Sequence, residues 1–255
     1  MKVLFASLFL LIALPLRAQV VEKITVYKAG GKTFEGFVAY PQNIKGKAPG
    51  VLVVHDWLGV TDKTKNKARD LAKLGYVAFA ADIYTKGVRP GVDRAGQEAG
   101  KYKKDRKLFR KHLKYGLDEM ARMPQVDRQK LAAIGFCFGG TGVLELARTG
   151  APLKGVVSFH GGLDSPEPSL GKNIKGKVLA LHGADDPFVS AQDLAAFEEE
   201  MRQNNVDWQM VKYGGAVHSF TDKTAGTDNS KGAAYNEKAD SRSWVAMKDF
   251  FSEIL

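Results

Sequence analysis

The stretch Ile134-Gly135-Phe136-Cys137-Phe138-Gly139-Gly140 contains the only cysteine of 255 residues, and it restricts this chain more than any other feature. Leu131 to Ile134 have the apolar character of a short buried strand, and Thr141 to Ala147 open a helix. Cys137 therefore falls on a strand-to-helix turn, with glycine two positions before it and two after. A residue held in such a turn takes a strained conformation that brings neighbouring main chain too close for a Cβ, which accounts for both glycines. The start of the helix points free N–H groups and the positive end of its dipole at the sulfur and so favours the thiolate. A buried structural cysteine in a glycine-rich turn fits these few residues equally well, so the rest of the chain must decide.

Before and after this turn, buried strands alternate with amphipathic helices. Ile24–Lys28 and Thr33–Tyr40 form a hairpin about Gly30-Gly31. Val51–Val54 is a β-branched run of the kind buried on both faces of a parallel sheet. Thr61–Leu74 is a helix with Thr61 at its N-cap and Gly75 as its stop, and Tyr76–Ala81 is the next strand. Asp82–Glu98 is a loop, followed by one long helix over Tyr102–Met123. Strands follow at Gly155–Phe159, Val178–Leu181 and Trp208–Tyr213, helices at Ala191–Gln203 and Ala233–Phe251, and Gly161–Lys175 is a surface excursion. The pattern predicts an α/β fold with a mainly parallel central sheet and helices on both faces, ligands binding at the C-terminal strand ends.

Residues 1–18 read as a cleaved secretory signal: Met1-Lys2, an apolar run over Val3–Leu16, and Leu16-Arg17-Ala18 before Gln19. A retained membrane anchor is the competing reading. Residues 19–255 are expected to form a single domain, exported to the periplasm or secreted. An oxidising compartment normally uses cysteines in pairs, so an unpaired one there suggests use rather than structure. Basic residues exceed acidic ones, 38 to 28. The excess gathers at Lys63–Arg69 and Lys101–Lys114, which read as solvated helix faces. Neither stretch has the aromatic interleaving expected of a nucleic-acid surface.

The polar residues that follow the last strands carry the chemistry. His182-Gly183-Ala184-Asp185-Asp186 places carboxylates after one strand, and Gly215-Ala216-Val217-His218 places a histidine after the next. The chain order of cysteine, aspartate and histidine matches the nucleophile, acid and histidine of α/β-hydrolases. Over about Ile24–Phe251 the sequence resembles the dienelactone hydrolase family. Its Gly-x-Cys-x-Gly-Gly matches Gly135–Gly140, its Gly-x-x-Asp-x-x-Val matches Gly183–Val189, and its Gly-x-x-His-x-Phe matches Gly215–Phe220. The second match selects Asp186 over Asp185, which is the alternative.

The resemblance implies an α/β-hydrolase fold and a small-molecule ester or lactone substrate. Cys137 would be the nucleophile, His218 the base, and Asp186 the group that sets the imidazole tautomer. Oxyanion donors would be the N–H groups of Phe138 and Trp57. Asp56 stands where the family often has a glutamate that pairs with the resting thiol, and it is one carbon shorter. Two arginines that bind a substrate carboxylate in the family correspond here to Lys86 and Asp222, so neutral substrates are expected to be turned over at least as well as carboxylated ones. Of these, Asp56 and Lys86 are expected to line the substrate pocket. His55 is expected to be structural; His112, His160 and His182 form no metal-ligand pattern, and neither metal nor cofactor is expected. The protein is expected to be a monomer without nucleic-acid or lasting membrane association. The alternative function is a catalytically silent small-molecule binding protein on the same fold.

Overall fold

The computed structural model describes residues 19–255, so the leader expected over residues 1–18 lies outside the described residues. Strands β1 (Val20–Ala29) and β2 (Lys32–Pro41) form an antiparallel hairpin. Its turn, Gly30-Gly31, has φ of 55° and 76°, a left-handed conformation that favours glycine. Strand β2 pairs antiparallel with β4 (Val77–Ala81). From there β3 (Ala48–Val54), β5 (Val126–Phe136), β6 (Gly155–Phe159), β7 (Lys177–Gly183) and β8 (Trp208–Tyr213) run parallel, giving one eight-stranded sheet ordered β1-β2-β4-β3-β5-β6-β7-β8.

Helices α1 (Asp62–Lys73), α2 (Val92–Lys104), α3 (Arg106–Arg122), α4 (Phe138–Arg148), α5 (Ala191–Gln203) and α6 (Glu237–Ile254) complete the fold. Successive residues of β3 separate into two cores, as the period-two geometry of a strand requires. Leu52 and Val54 pack with Phe109, Leu113 and Leu117 of α3 and with Val143 of α4. Val51 and Val53 pack with Ala68 and Leu71 of α1 and Phe251 of α6. Each of these large aliphatic or aromatic side chains contributes about 1.5–3 kcal/mol on burial, which holds the strand ends in fixed positions.

Several boundaries differ from the sequence expectation. The segment expected to be a loop over Asp82–Glu98 contains the start of α2, whose Ala95, Ala99 and Tyr102 are buried at helical spacing. Gly96 and Gly100 lower helix propensity there and mask the pattern. The expected long helix over Tyr102–Met123 is instead two, broken at Asp105, whose carboxylate accepts from the Leu108 N–H and caps α3. The last helix begins at Glu237, because Asn236 caps it by accepting from the Ala239 N–H, and the preceding residues are engaged elsewhere: Ala234 donates its N–H to the His218 carbonyl. Thr61 does sit at the N-cap of α1, but its side chain makes no capping hydrogen bond.

Candidate active site

Strand β5 leads directly into α4, with Cys137 as the single residue between them. Its φ of 54° and ψ of −114° are strained for a non-glycine residue. The expected glycine requirement is met sterically. A Cβ on Gly135 would lie 1.9 Å from the Gly139 carbonyl oxygen, and one on Gly139 would lie 2.3 Å from that of Val54. The helix starts at Phe138 rather than Thr141, so the sulfur belongs to the N-cap residue itself.

Two loops bring an imidazole and a carboxylate to that sulfur. His218 Nε2 lies 3.0 Å from Cys137 Sγ, and His218 Nδ1 lies 2.8 Å from Asp186 Oδ2. The other oxygen of Asp186 accepts from the Phe188 N–H at 2.9 Å, and the carboxylate is fully buried. Two backbone hydrogen bonds, from the His218 N–H to Gly232 O and from the Ala234 N–H to His218 O, anchor the histidine loop. Burial opposes the imidazolium, but the Asp186 hydrogen bond and the neighbouring Cys137 outweigh it and raise His218 to about 9. Asp185 points elsewhere and accepts from the Gly215 N–H at 3.0 Å. The geometry thus separates the two adjacent aspartates.

The N–H groups expected to receive an oxyanion belong to Phe138, the residue after Cys137, and to Trp57, which borders the same cleft as Cys137. The Phe138 N–H is the first of α4 and has no intrahelical partner. Among the described residues neither N–H meets a protein acceptor. His55 fixes the Trp57 loop: its Nδ1 donates to the Asp56 carbonyl at 2.6 Å, and its Nε2 accepts from the Ile83 N–H at 3.2 Å. Burial lowers this imidazole to about 4, so it is neutral and structural, as expected. His112 Nδ1 likewise meets a carbonyl, that of Ile83, at 2.7 Å.

A cleft of about 450 Å³ opens beside Cys137, with Trp57, Phe136, Asp56, Lys63 and Asp222 in its walls. Asp56 lines it as expected, but its carboxylate accepts from the Leu58 N–H at 2.8 Å and pairs with Lys63 at 3.1 Å, and no hydrogen bond joins it to Cys137. Lys86, expected to line the pocket, does not. It lies outside this cleft, with its ammonium 3.5 Å from Glu35. The loop after β4 turns toward the hairpin through a left-handed Thr85 (φ 92°) and a Lys86 N–H bond to the Thr33 carbonyl, which carries the lysine away. The basic stretch at Lys63–Arg69 is not wholly a solvated face either, because Lys63, Lys67 and Arg69 all border the cleft. Lys67 lies 5.3 Å from the Phe136 ring centre and 5.1 Å from that of Trp244. The four-residue spacing of Lys63 and Lys67, on the helix following a strand whose end meets the site, was the available signal. His160, for which the sequence offers no motif, also lines the cleft.

A mostly parallel eight-stranded sheet, with a strained residue between β5 and α4 and with an aspartate and a histidine beyond β7 and β8, defines an α/β-hydrolase. The chain belongs to the dienelactone hydrolase family, whose pattern matches residues 34–255, and the family places it among hydrolases of lactone or ester bonds. The solved structure called m3DLH is 39% identical with a TM-score of 0.89, the match covering 92% of this chain and 99% of that one. A dienelactone hydrolase-like promiscuous phosphotriesterase from metagenomic libraries is 40% identical with a TM-score of 0.87, covering 92% and 98%. A Synechocystis protein provisionally named carboxymethylenebutenolidase is 27% identical over 230 residues, 85% of this chain and 90% of its own.

Proposed function

We propose that this protein hydrolyses small esters or lactones through a thioacyl intermediate on Cys137. The observation that carries the reading is the continuous contact from Cys137 Sγ to His218 Nε2 at 3.0 Å and from His218 Nδ1 to Asp186 Oδ2 at 2.8 Å. Sulfur attacks the carbonyl carbon, and the thiol proton resides on Nε2. The N–H groups of Phe138 and Trp57 receive the charge that develops on the carbonyl oxygen. Collapse breaks the carbon–oxygen bond, and Nε2 hands its proton to the leaving alkoxide. Nε2 then takes a proton from water as that water attacks the thioester, and return of the proton to sulfur releases the acid. Asp186 keeps Nδ1 protonated throughout and supports the imidazolium.

The paired state of Lys63 supports a preference for neutral substrates, because Asp56 and Asp222 already occupy the cation that a substrate carboxylate would need. We further propose that the mature chain is one exported domain beginning near Gln19 and acting as a monomer. The intact set of contacts at the sulfur favours an enzyme over a silent binding protein.

The test is a panel of p-nitrophenyl esters and lactones, neutral and carboxylated, with mass spectrometry of the quenched enzyme. A neutral phosphotriester belongs in the panel because of the relative named above. Turnover with an acyl adduct on Cys137 is the expected result. Absence of both turnover and adduct across the panel would leave the binding-protein reading standing.

A further inference from the structure

His160, the residue after β6, is 3% exposed and has φ of 40°, a left-handed conformation uncommon for histidine. Both ring nitrogens are engaged. Nδ1 lies 3.1 Å from the backbone nitrogen of Cys137, and Nε2 lies 2.8 Å from Thr221 Oγ1. A backbone N–H can only donate, so Nδ1 must carry the lone pair and Nε2 the hydrogen, and the ring is neutral in one tautomer. Burial first, and then the charge of His218, hold His160 well below the usual histidine range, in agreement with that assignment. Its ring meets His218 edge-on with centres 5.4 Å apart, and Phe220 closes another side at 5.0 Å.

These contacts join the two halves of the site. The Cys137 N–H also donates to the Phe159 carbonyl at 3.0 Å, so consecutive residues of one chain segment hold the strained residue from the same side. Thr221 lies three positions beyond His218 in the loop that delivers the imidazole. A strained conformation persists only where its surroundings over-determine it, and the sulfur-to-imidazole distance depends on two loops that have no covalent reason to stay in register.

We propose that His160 is a positioning residue: its Nδ1 lone pair holds the Cys137 backbone in the reactive conformation, and its Nε2–H ties the histidine loop to the same point through Thr221. This inference rests on Cys137 being the nucleophile.

Two amides of different length separate the two contacts. His160→Asn places an amide oxygen near the position of Nδ1 and keeps the acceptor for the Cys137 N–H. His160→Gln places an amide NH2 near Nε2 and keeps the donor to Thr221 but loses that acceptor. For the ester that the unmodified enzyme turns over best, His160→Gln is expected to lower kcat by about 10–100-fold with KM changed less than about threefold, and His160→Asn to retain within about tenfold of the original kcat. Alkylation of Cys137 by iodoacetamide should slow in the same order. Equal kcat and alkylation rates in the two variants would overturn the role. Thr221→Val tests the second contact without altering the ring, so the inference stays open to refutation if a histidine variant fails to fold. A several-fold fall in kcat at constant KM is expected there, and an unchanged kcat would overturn the tie to the loop. An unmodified protein that neither turns over esters nor alkylates at Cys137 would sink the nucleophile reading, whereas an active parent with silent variants would sink only the role of His160.

Discussion

The Lys63 ammonium lies 2.8 Å from the Asp222 carboxylate, across 159 positions of sequence. Its second partner is Asp56 at 3.1 Å. Burial works against the lysine's charge, but the Asp222 hydrogen bond and Asp56 outweigh it and raise its pKa. The cleft therefore presents a cation already matched by carboxylates, which bears directly on which substrates it accepts.

Removing Asp222 should leave the Lys63 cation with Asp56 as its one carboxylate partner and so make it more available to an anion. Asp222→Asn is expected to raise kcat/KM for a carboxylated ester by roughly 3–10-fold while neutral esters change less than about threefold, the range of a partly exposed ion pair. Asp222→Arg should act in the same direction. Lys86→Ala should be silent toward both substrate classes, since Lys86 pairs with Glu35 outside the cleft. A fall in carboxylated-substrate turnover in Lys86→Ala would return that residue to the binding site.

Cys137→Ala is expected to remove ester turnover by at least about 10³-fold and to change unfolding stability by less than about 1 kcal/mol. The side chain is only partly buried, and the strained backbone is held by its neighbours rather than by the sulfur. Initial rates and a urea titration of the same preparation provide the check. Residual turnover near the parental rate would remove the thiol from the mechanism.

The adjacent aspartates should behave very differently. Asp186→Asn replaces the acceptor on His218 Nδ1 with a group that can no longer support an imidazolium, and a loss of about 10⁴-fold in kcat is expected. Asp185→Asn keeps an oxygen for the Gly215 N–H, so a loss below about tenfold is expected. Steady-state kinetics on both variants decides the matter, and a reversed order would move the acid to Asp185.

The pH dependence of stability follows from the raised pKa of His218. A folded value of about 9, above an unfolded value of about 6.5, means the imidazolium stabilises the native state fully below pH 6.5 and that this contribution is lost as pH rises through 9. The stability difference between the unmodified protein and His218→Gln should shrink by a few kcal/mol between pH 6.5 and 9, measured by denaturant unfolding at several pH values. A difference that is flat over that window would contradict the Asp186–His218–Cys137 electrostatics.

Export is tested on the cell-derived protein. Fractionation with intact-mass analysis should find the chain outside the cytoplasm, starting near Gln19 and titrating as one thiol per molecule. An intact Met1 end would overturn the localisation.

Much of the architecture was legible because it rests on local signals. The Val51–Val54 run, the glycines around Cys137 and the Pro/Gly punctuation each have a short-range physical cause, whereas the set Cys137, Asp186 and His218 was legible through its match to the family's motifs, which selected Asp186 over Asp185. Helix α2 was illegible because Gly96 and Gly100 dilute its pattern, and the break at Asp105 because a capping aspartate within a charged run resembles any exposed residue. The four-residue spacing of Lys63 and Lys67 was visible, but the presence of Asp56 and Asp222 on either side of Lys63 was not.

Strand period and glycine placement are properties of neighbouring residues, so the order of amino acids alone sets which residue types stand at the ends of which strands. What those residues touch is set by the folded chain. Hydrogen bonds and ion pairs act over about 3 Å, and the loops that bring Asp186 and His218 to Cys137, turn Lys86 toward Glu35 and seat His160 between Cys137 and Thr221 are set by backbone contacts between distant segments. A charge or lone pair acquires its role only when such contacts choose its partner, which is why His160 looked like one histidine among several until the fold placed it against the Cys137 backbone.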